Sequence, residues 1–239
     1  MKQRLDQLLF AKKLVASRSQ AESWIKLGKV TVDGRVVIKP GMFVSEQATI
    51  QLKAKERYVS RAGLKLASVA QELGVDFTDK TVLDVGSSTG GFTDYALQHR
   101  AKKVFAVDVG TEQLHPSLRG NKNIELHEKT DIRDFTPPTS PDIVVMDVSF
   151  ISLREILPHI ATLAGKHTQI IAMLKPQFEA GKHQVNKGVI KNDSVRRDIL
   201  KDFEAWAKQH FVIVDKKDSE VAGAKGNRER FYLLQTVLV

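Results

Sequence analysis

The chain has no cysteine in its 239 residues, which excludes disulfide staples and thiolate metal ligands alike. It has no apolar run of about 18 residues, the length that a membrane-spanning helix needs. Its seven histidines, at positions 99, 115, 127, 159, 167, 183 and 210, are scattered, and no H-E-x-x-H occurs, so no metal site is expected. Missing too are G-x-G-x-x-G and any glycine loop ending in G-K-[ST], which excludes the dinucleotide fingerprint and the phosphate loop. Met1-Lys2-Gln3-Arg4 leads into an amphipathic pattern without the apolar core of a secretion signal. These absences give the expectation of a cytoplasmic protein with no membrane partner.

Acid is scarce relative to base: 28 Asp+Glu stand against 37 Lys+Arg, a net charge of +9. The excess is local. Residues 1–57 carry 12 basic and 5 acidic side chains, whereas the other 182 carry 25 and 23. A basic N-terminal quarter on a nearly neutral remainder suits a small RNA-binding module attached to an enzyme. The length allows one or two domains with a proper core.

What is present centres on Thr81-Val82-Leu83-Asp84-Val85-Gly86-Ser87-Ser88-Thr89-Gly90-Gly91-Phe92-Thr93-Asp94. An apolar β-branched run meets a Gly/Ser/Thr loop and then a segment that can start a helix, the first strand–turn–helix unit of a nucleotide-type site. Asp108 ends the next apolar run, Lys103-Val104-Phe105-Ala106-Val107, where an acid can bind ribose hydroxyls. Together these residues resemble the S-adenosylmethionine site of Rossmann-like methyltransferases. That resemblance makes Asp84, Gly86, Ser87, Ser88, Gly90, Gly91, Phe92 and Asp108 candidate donor-binding residues, with Asp131 against the adenine amine and Asp147 at the end of a later strand.

Upstream, Leu5, Leu8 and Leu9 form an apolar stripe with Lys12 and Lys13 on its flank. Ser19-x-x-Glu22 fits a capping box opening a second helix, with Ala21, Trp24 and Ile25 inward and Gly28 ending it. Asp33-Gly34 joins two short β-runs, and Val44, Ile50 and Leu52 suggest further strands. The stretches Arg4-Leu5-Asp6-x-x-Leu9, Ser17-Arg18-Ser19-x-Ala21, Gly28-x-Val30-x-Val32-Asp33-Gly34 and Lys39-Pro40-Gly41 resemble the small RNA-binding domain named after ribosomal protein S-four. The resemblance implies RNA contact through Arg4, Lys12, Lys13, Arg18 and Lys26; without it the same cations read as a solvated basic face. Domain bounds of 1–54 for this module, a charged linker over 55–60 and 61–239 for the remainder follow.

Downstream, Leu64, Ala67, Ala70 and Leu73 mark a helix with Lys65 near its start, the unfavourable end for a cation, where an exposed lysine is the default. Ile124–His127 is a third strand, Asp142–Asp147 a buried strand ending in an acid, and residues 151–164 a helix. Thr168–Leu174 is the next strand, ended by Lys175, and residues 180–192 form a mobile loop. Asp193 or Ser194 caps a helix with Ile199, Phe203 and Trp206 as core, and Phe211–Val214 and Phe231–Val239 are the last strands. The fold class is α/β: a mostly parallel sheet with its last strand antiparallel, behind a small α+β domain.

Lys65, Asp147, Lys175 and Glu229 stand at ends of elements facing one crevice. In methyl transfer to a ribose hydroxyl, Lys175, poised by Asp147 and Glu229 and supported by Lys65, can orient the hydroxyl and stabilise developing alkoxide charge. The covalent route to cytosine C5 lacks its cysteine, and no [ND]-P-P-[YF] motif for exocyclic amines is present. Two surface salt bridges are the plainer reading of four such charges. The order of Ser60-Arg61-Ala62-Gly63-Leu64-Lys65-Leu66, the glycine loop, Asp147-Val148-Ser149-Phe150-Ile151-Ser152-Leu153, Lys175-Pro176-Gln177-Phe178-Glu179 and Gly226-Asn227-Arg228-Glu229 behind an S-four-like domain resembles the TlyA (haemolysin A) family of bacterial rRNA methyltransferases. That resemblance implies an FtsJ-like fold, S-adenosylmethionine as donor, 2′-O-methylation of cytidine in ribosomal RNA, and a Lys-Asp-Lys-Glu tetrad on those four positions. The chain is similar to the family's shorter members, which implies 23S rRNA of the large subunit as target. A ribosome-associated RNA-binding protein with an inactive methyltransferase domain is the alternative; a direct haemolysin and a pseudouridine synthase fit the residues less well.

Overall fold

The computed structural model describes residues 2–15, 18–26, 28–52, 58–181, 184–185, 188–223 and 226–237. The charged segment Lys53–Arg57, Ser17 of the S-four-like stretch and part of the loop expected over residues 180–192 lie outside them. The chain forms two compact units, Met1–Arg57 and Tyr58–Val239.

In the first unit, α1 (Leu5–Ala11) buries Leu5, Leu8 and Leu9, and α2 (Arg18–Lys26) buries Ala21, Trp24 and Ile25. The helix α2 already begins at Arg18, so Ser19 lies inside its first turn and does not cap it. Gly28, at φ +67°, closes the helix by donating its N–H to Ile25 O. Two strands, β1 (Lys2–Arg4) before α1 and β4 (Phe43–Ser45), pair antiparallel. A second sheet runs β3 (Arg35–Val36), β2 (Val30–Val32), β5 (Ile50–Leu52). Asp33 and Gly34, both at positive φ, form the two-residue turn joining β2 to β3, as the Asp-Gly pair demands.

The second unit is a seven-stranded sheet covered by helices on both faces. Its strands are β6 (Thr81–Val85), β7 (Lys103–Val107), β8 (Ile124–His127), β9 (Ile143–Met146), β10 (Gln169–Leu174), β11 (Phe211–Asp218) and β12 (Arg230–Thr236). The spatial order is β11-β12-β10-β9-β6-β7-β8, and β12 alone runs against its two neighbours. Strands buried on both faces are apolar along most of their length, so β9 reads as an unbroken hydrophobic run, β10 as one after Gln169, and β6 as one interrupted by the buried Asp84. One face packs under α5 (Leu153–Leu163) and α7 (Asp193–Ala207), through Leu153, Ile156, Leu157, Ile160, Leu200 and Phe203. The other packs under α3 (Arg61–Ala67) and α4 (Gly91–Gln98), through Leu66, Val69, Ala70, Phe92 and Tyr95. A single turn, α6 (Pro176–Glu179), follows β10.

Three local expectations are corrected. The helix α3 ends at Ala67, so Lys65 lies in its last turn, the end that favours a cation. Of the expected helical stripe, Leu64 and Ala67 are only partly covered and Ala70 and Leu73 lie beyond the helix, in turns that bury them with Val69. The helix α7 is capped by Asn192, whose side chain accepts from Ser194 N–H at 2.8 Å, not by Asp193 or Ser194.

Candidate active site

The site is built at the carboxyl ends of β6, β7, β9 and β10, where the strand order leaves a crevice. After β6 the chain turns at Gly86 (φ +79°), and the N–H groups of Gly86 and Ser87 both donate to Val107 O, at 2.9 and 3.1 Å. A Cβ at Gly86 would stand 3.1 Å from Asp147 O, so glycine is what lets the ends of β6 and β9 close up. Gly90 (φ +88°) is the N-cap of α4, and Gly91 lies against Gly63 of α3, where neither backbone tolerates a side chain. Gly90 and Gly91 shape the turn and the α3–α4 packing and lie outside the linings of the two cavities described below.

Asp84 is fully buried. Its Oδ2 accepts from Thr93 Oγ1 at 2.6 Å, while its Oδ1 has no partner. Burial pushes its carboxyl up to about 7, opposed by the Thr93 hydrogen bonds and reinforced by the Asp147 and Asp108 carboxylates. Asp108 uses both oxygens on backbone: Ser88 N–H donates to Oδ2 at 2.8 Å and Gly110 N–H to Oδ1 at 2.7 Å. That fixes the carboxylate's direction and leaves its remaining lone pairs for a ligand diol. Asp131 caps a short turn by accepting from Arg133 N–H at 2.9 Å. The Arg133 guanidinium, bonded to both of its oxygens, holds the Asp131 carboxyl down at about 2.

The four tetrad candidates form two pairs, and the pairing differs from the expected one. Lys175 Nζ lies 2.6 Å from Asp147 Oδ1 and donates to Ser149 Oγ at 2.7 Å. Glu229 pairs with Lys65, not with Lys175: Lys65 Nζ lies 2.5 Å from Glu229 Oε2, with side chains 11% and 4% exposed. Both contacts are ion pairs by distance; neither carboxylate oxygen has the angle of a directed hydrogen bond. The default of an exposed Lys65 is therefore overturned.

Two cavities share a wall. The smaller, about 150 Å³, is lined by Ala62, Asp84, Gly86–Thr89, Phe92, Asp147, Ser149 and Lys175. The larger, about 470 Å³, lies beside Asp108, Gln113, Asp131, Ile132, Asp147, Ser149 and Phe150. Gly86, Ser88, Asp147 and Ser149 belong to both. Phe92 reaches the smaller cavity but is nearly sealed against Phe231, so most of its surface is core. Ser149 and Phe150 were missed at the sequence level, although they directly follow a strand-ending acid. Phe150 is a left-handed (φ +67°), 90% exposed phenylalanine whose ring centroid is 5.1 Å from that of Phe178. No residue type announces such strain, which gathers at functional sites.

In the first unit, Asp6 is buried and accepts from Arg4 Nε and Nη2 at 3.0 and 2.9 Å and from Arg18 Nη2 at 3.2 Å. The Arg4 hydrogen bond, ahead of burial, sets its carboxyl below the usual range. Lys12 and Lys13 are exposed, and Lys26 reaches Glu22 at 4.0 Å. Among the described residues no group of three His, Asp or Glu side chains converges as a metal site, and no helix is long and apolar enough to cross a membrane.

Residues 58–236 match the FtsJ-like methyltransferase model and residues 3–50 the S4 domain model. A 23S rRNA (cytidine-2′-O)-methyltransferase TlyA from Campylobacter jejuni is 46% identical over 74% of this chain and 70% of its own. A 16S/23S rRNA (cytidine-2′-O)-methyltransferase TlyA from Mycobacterium tuberculosis is 36% identical over 98% of this chain and 90% of its own. A solved structure of a hemolysin candidate from Streptococcus thermophilus superimposes with a TM-score of 0.76 at 36% identity, covering 99% of this chain and 89% of its own. With the doubly wound sheet, the glycine turn over a strand-end crevice and the basic N-terminal module already in place, these matches settle the kinship: the chain belongs to the FtsJ-like methyltransferase family, among the TlyA proteins.

Proposed function

We propose that this protein transfers a methyl group from S-adenosylmethionine to the 2′-hydroxyl of a cytidine in ribosomal RNA, with large-subunit RNA as its target. The observation that carries the reading is the shared wall: two cavities suited to the two ends of the donor meet at Asp147 and Ser149, and Lys175 stands on both of those side chains.

The residues fit the donor. The unpartnered Asp84 Oδ1 and Ser87 Oγ, both buried, are a free acceptor and a free hydroxyl at the smaller cavity, suited to the ammonium and carboxylate of an amino acid. Asp108, fixed by two amides, suits a ribose diol, and Asp131 suits the rim of a purine. When bound, the donor supplies an electrophilic methyl on a sulfonium.

The chain supplies position and charge. Lys175 Nζ, held by Asp147 and Ser149, orients the incoming hydroxyl and stabilises negative charge as it develops on that oxygen. Glu229 fixes a second cation, Lys65, on α3, the helix whose Ala62 lines the smaller cavity. Phe150 presents an open ring face at the larger cavity for a base to stack on. In the first unit Arg4, Arg18, Lys12, Lys13 and Lys26 engage RNA phosphates, which supply affinity without reading sequence.

The test is transfer of labelled methyl from S-adenosylmethionine to unmodified 30S, 50S and 70S particles, with Lys175→Ala as control. Label entering 50S RNA and lost in the variant supports the reading. Donor binding with no label on any particle leaves the alternative of an RNA-binding protein that does not transfer.

A further inference from the structure

We infer that Glu179 is a positioning residue that clamps the two loops carrying the reacting groups, an inference that rests on Lys175 and Asp147 being the reacting end of the site. One loop follows β9 and carries Asp147, Ser149 and Phe150; the other follows β10 and carries Lys175 and Phe178. Behind the site the two strands are joined by parallel pairing up to Ala172 and Met146. In front of it they are joined by Glu179. Ser152 Oγ donates to Glu179 Oε2 at 2.6 Å, and Leu153 N–H donates to Oε1 at 2.7 Å. Between these two fixed ends lie the cross-contacts, Lys175 with Asp147 and Ser149, and Phe178 with Phe150.

The bond to Leu153 needs an acceptor oxygen at that place. Leu153 is the first residue of α5, so its N–H has no partner within the helix, and a negative charge there meets the positive end of the helix dipole. The Glu179 side chain is only 2% exposed, with the Arg154 guanidinium Nε 3.7 Å away. Burial raises its carboxyl above the usual range, against the Ser152 and Leu153 bonds. Glu179 lines neither cavity, so it reaches the chemistry only through the loops. The turn α6 is four residues long and opens at Pro176, which fixes φ at the position after Lys175. With one end of so short a turn set by proline and the other by the Glu179 clamp, Lys175 has little freedom to leave Asp147.

Three variants test this. In Glu179→Ala the clamp is lost; in Glu179→Gln a Leu153 acceptor and a polar partner for Ser152 remain. Ser152→Ala removes one of the two Glu179 bonds, together with the α5 cap bond that Ser152 Oγ accepts from Arg154 N–H, and guards against misfolding of the first. The expected result is a fall in kcat of at least 30-fold in Glu179→Ala and a smaller one in Ser152→Ala. The Gln variant stays within about 3-fold of wild type. The dissociation constant for S-adenosylmethionine changes by less than about 3-fold in all three. Asp84, Ser87, Ser88, Asp108 and Asp131 sit on other elements, and the clamped loop supplies only part of the cavity walls. Hydrogen exchange, which needs no reaction, is expected to speed up at the amides of 149–153 in Glu179→Ala while β6 and β7 stay protected. Unchanged exchange at 149–153, or a kcat that falls only in step with donor affinity or folded fraction, overturns the inference. If wild type transfers no methyl, the proposed function fails, and the exchange comparison still decides the clamp.

Discussion

Glu229 holds Lys65 at 2.5 Å in a pocket where both side chains are nearly out of solvent. A buried pair of this kind contributes little net stability against an apolar replacement, yet breaking it from one side strands a charge. Glu229→Gln is therefore expected to lower the unfolding free energy by about 3–5 kcal/mol. The double variant Lys65→Met/Glu229→Leu is expected to be at least as stable as wild type while losing methyl transfer. Urea denaturation of the two proteins, alongside the transfer rate, separates what the pair does for the fold from what it does for the reaction.

Asp84 gives a pH signature. In the native protein its carboxyl keeps its proton up to about 7, whereas the unfolded chain releases it near 3.8. Between those values the native state binds the extra proton, so Asp84 makes stability fall as pH rises across that window, by about 4 kcal/mol at 1.36 kcal/mol per unit. The loss is complete above about 7, and Asp84→Asn lacks it. If the donor ammonium sits on Asp84, donor affinity rises as pH passes through about 7 in wild type and stays flat in Asp84→Asn. Calorimetric titrations at several pH values check this.

Phe150 pairs strain with exposure. Glycine at this position removes the steric cost of a left-handed phenylalanine, so Phe150→Gly is expected to raise the unfolding free energy by up to about 1 kcal/mol. The same change removes the stacking face and is expected to slow transfer at least 10-fold. Higher stability with unchanged rate would assign the strain to the loop alone.

Arg4 and Arg18 share one buried carboxylate yet keep side chains 40% and 51% exposed. Each is expected to neutralise about one phosphate, so Arg4→Ala and Arg18→Ala should each lessen the slope of log K against log salt by about 1 for RNA binding. Filter-binding titrations from low to moderate salt measure it.

The sheet could be read from the sequence because strands covered on both faces are mostly apolar, as β9, β10 beyond Gln169 and, around its buried Asp84, β6 are. Asp147 and Lys175 were legible for a related reason: each is the first ionisable residue after such a run, and the carboxyl ends of parallel strands face the crevice. The partnering was not legible. Lys65 and Glu229 come from opposite ends of the unit, and nothing local to a lysine in a helix says that a distant glutamate will cover it. Asp131 shows the converse, since its neighbour Arg133 takes both of its oxygens, a contact that spacing permits but does not demand. Phe150 was missed because a positive φ at phenylalanine is imposed by the folded loop, and Glu179 because its acceptor role depends on where α5 begins.

The most direct measurement is the chemical position of the transferred methyl. Unmodified 50S particles are treated with labelled donor, and their RNA is digested to nucleosides. Wild type is expected to yield 2′-O-methylcytidine as the labelled product, and Lys175→Ala to yield none. Label on a base, or label that survives unchanged in Lys175→Ala, would contradict a ribose methyltransferase built around Lys175 and Asp147.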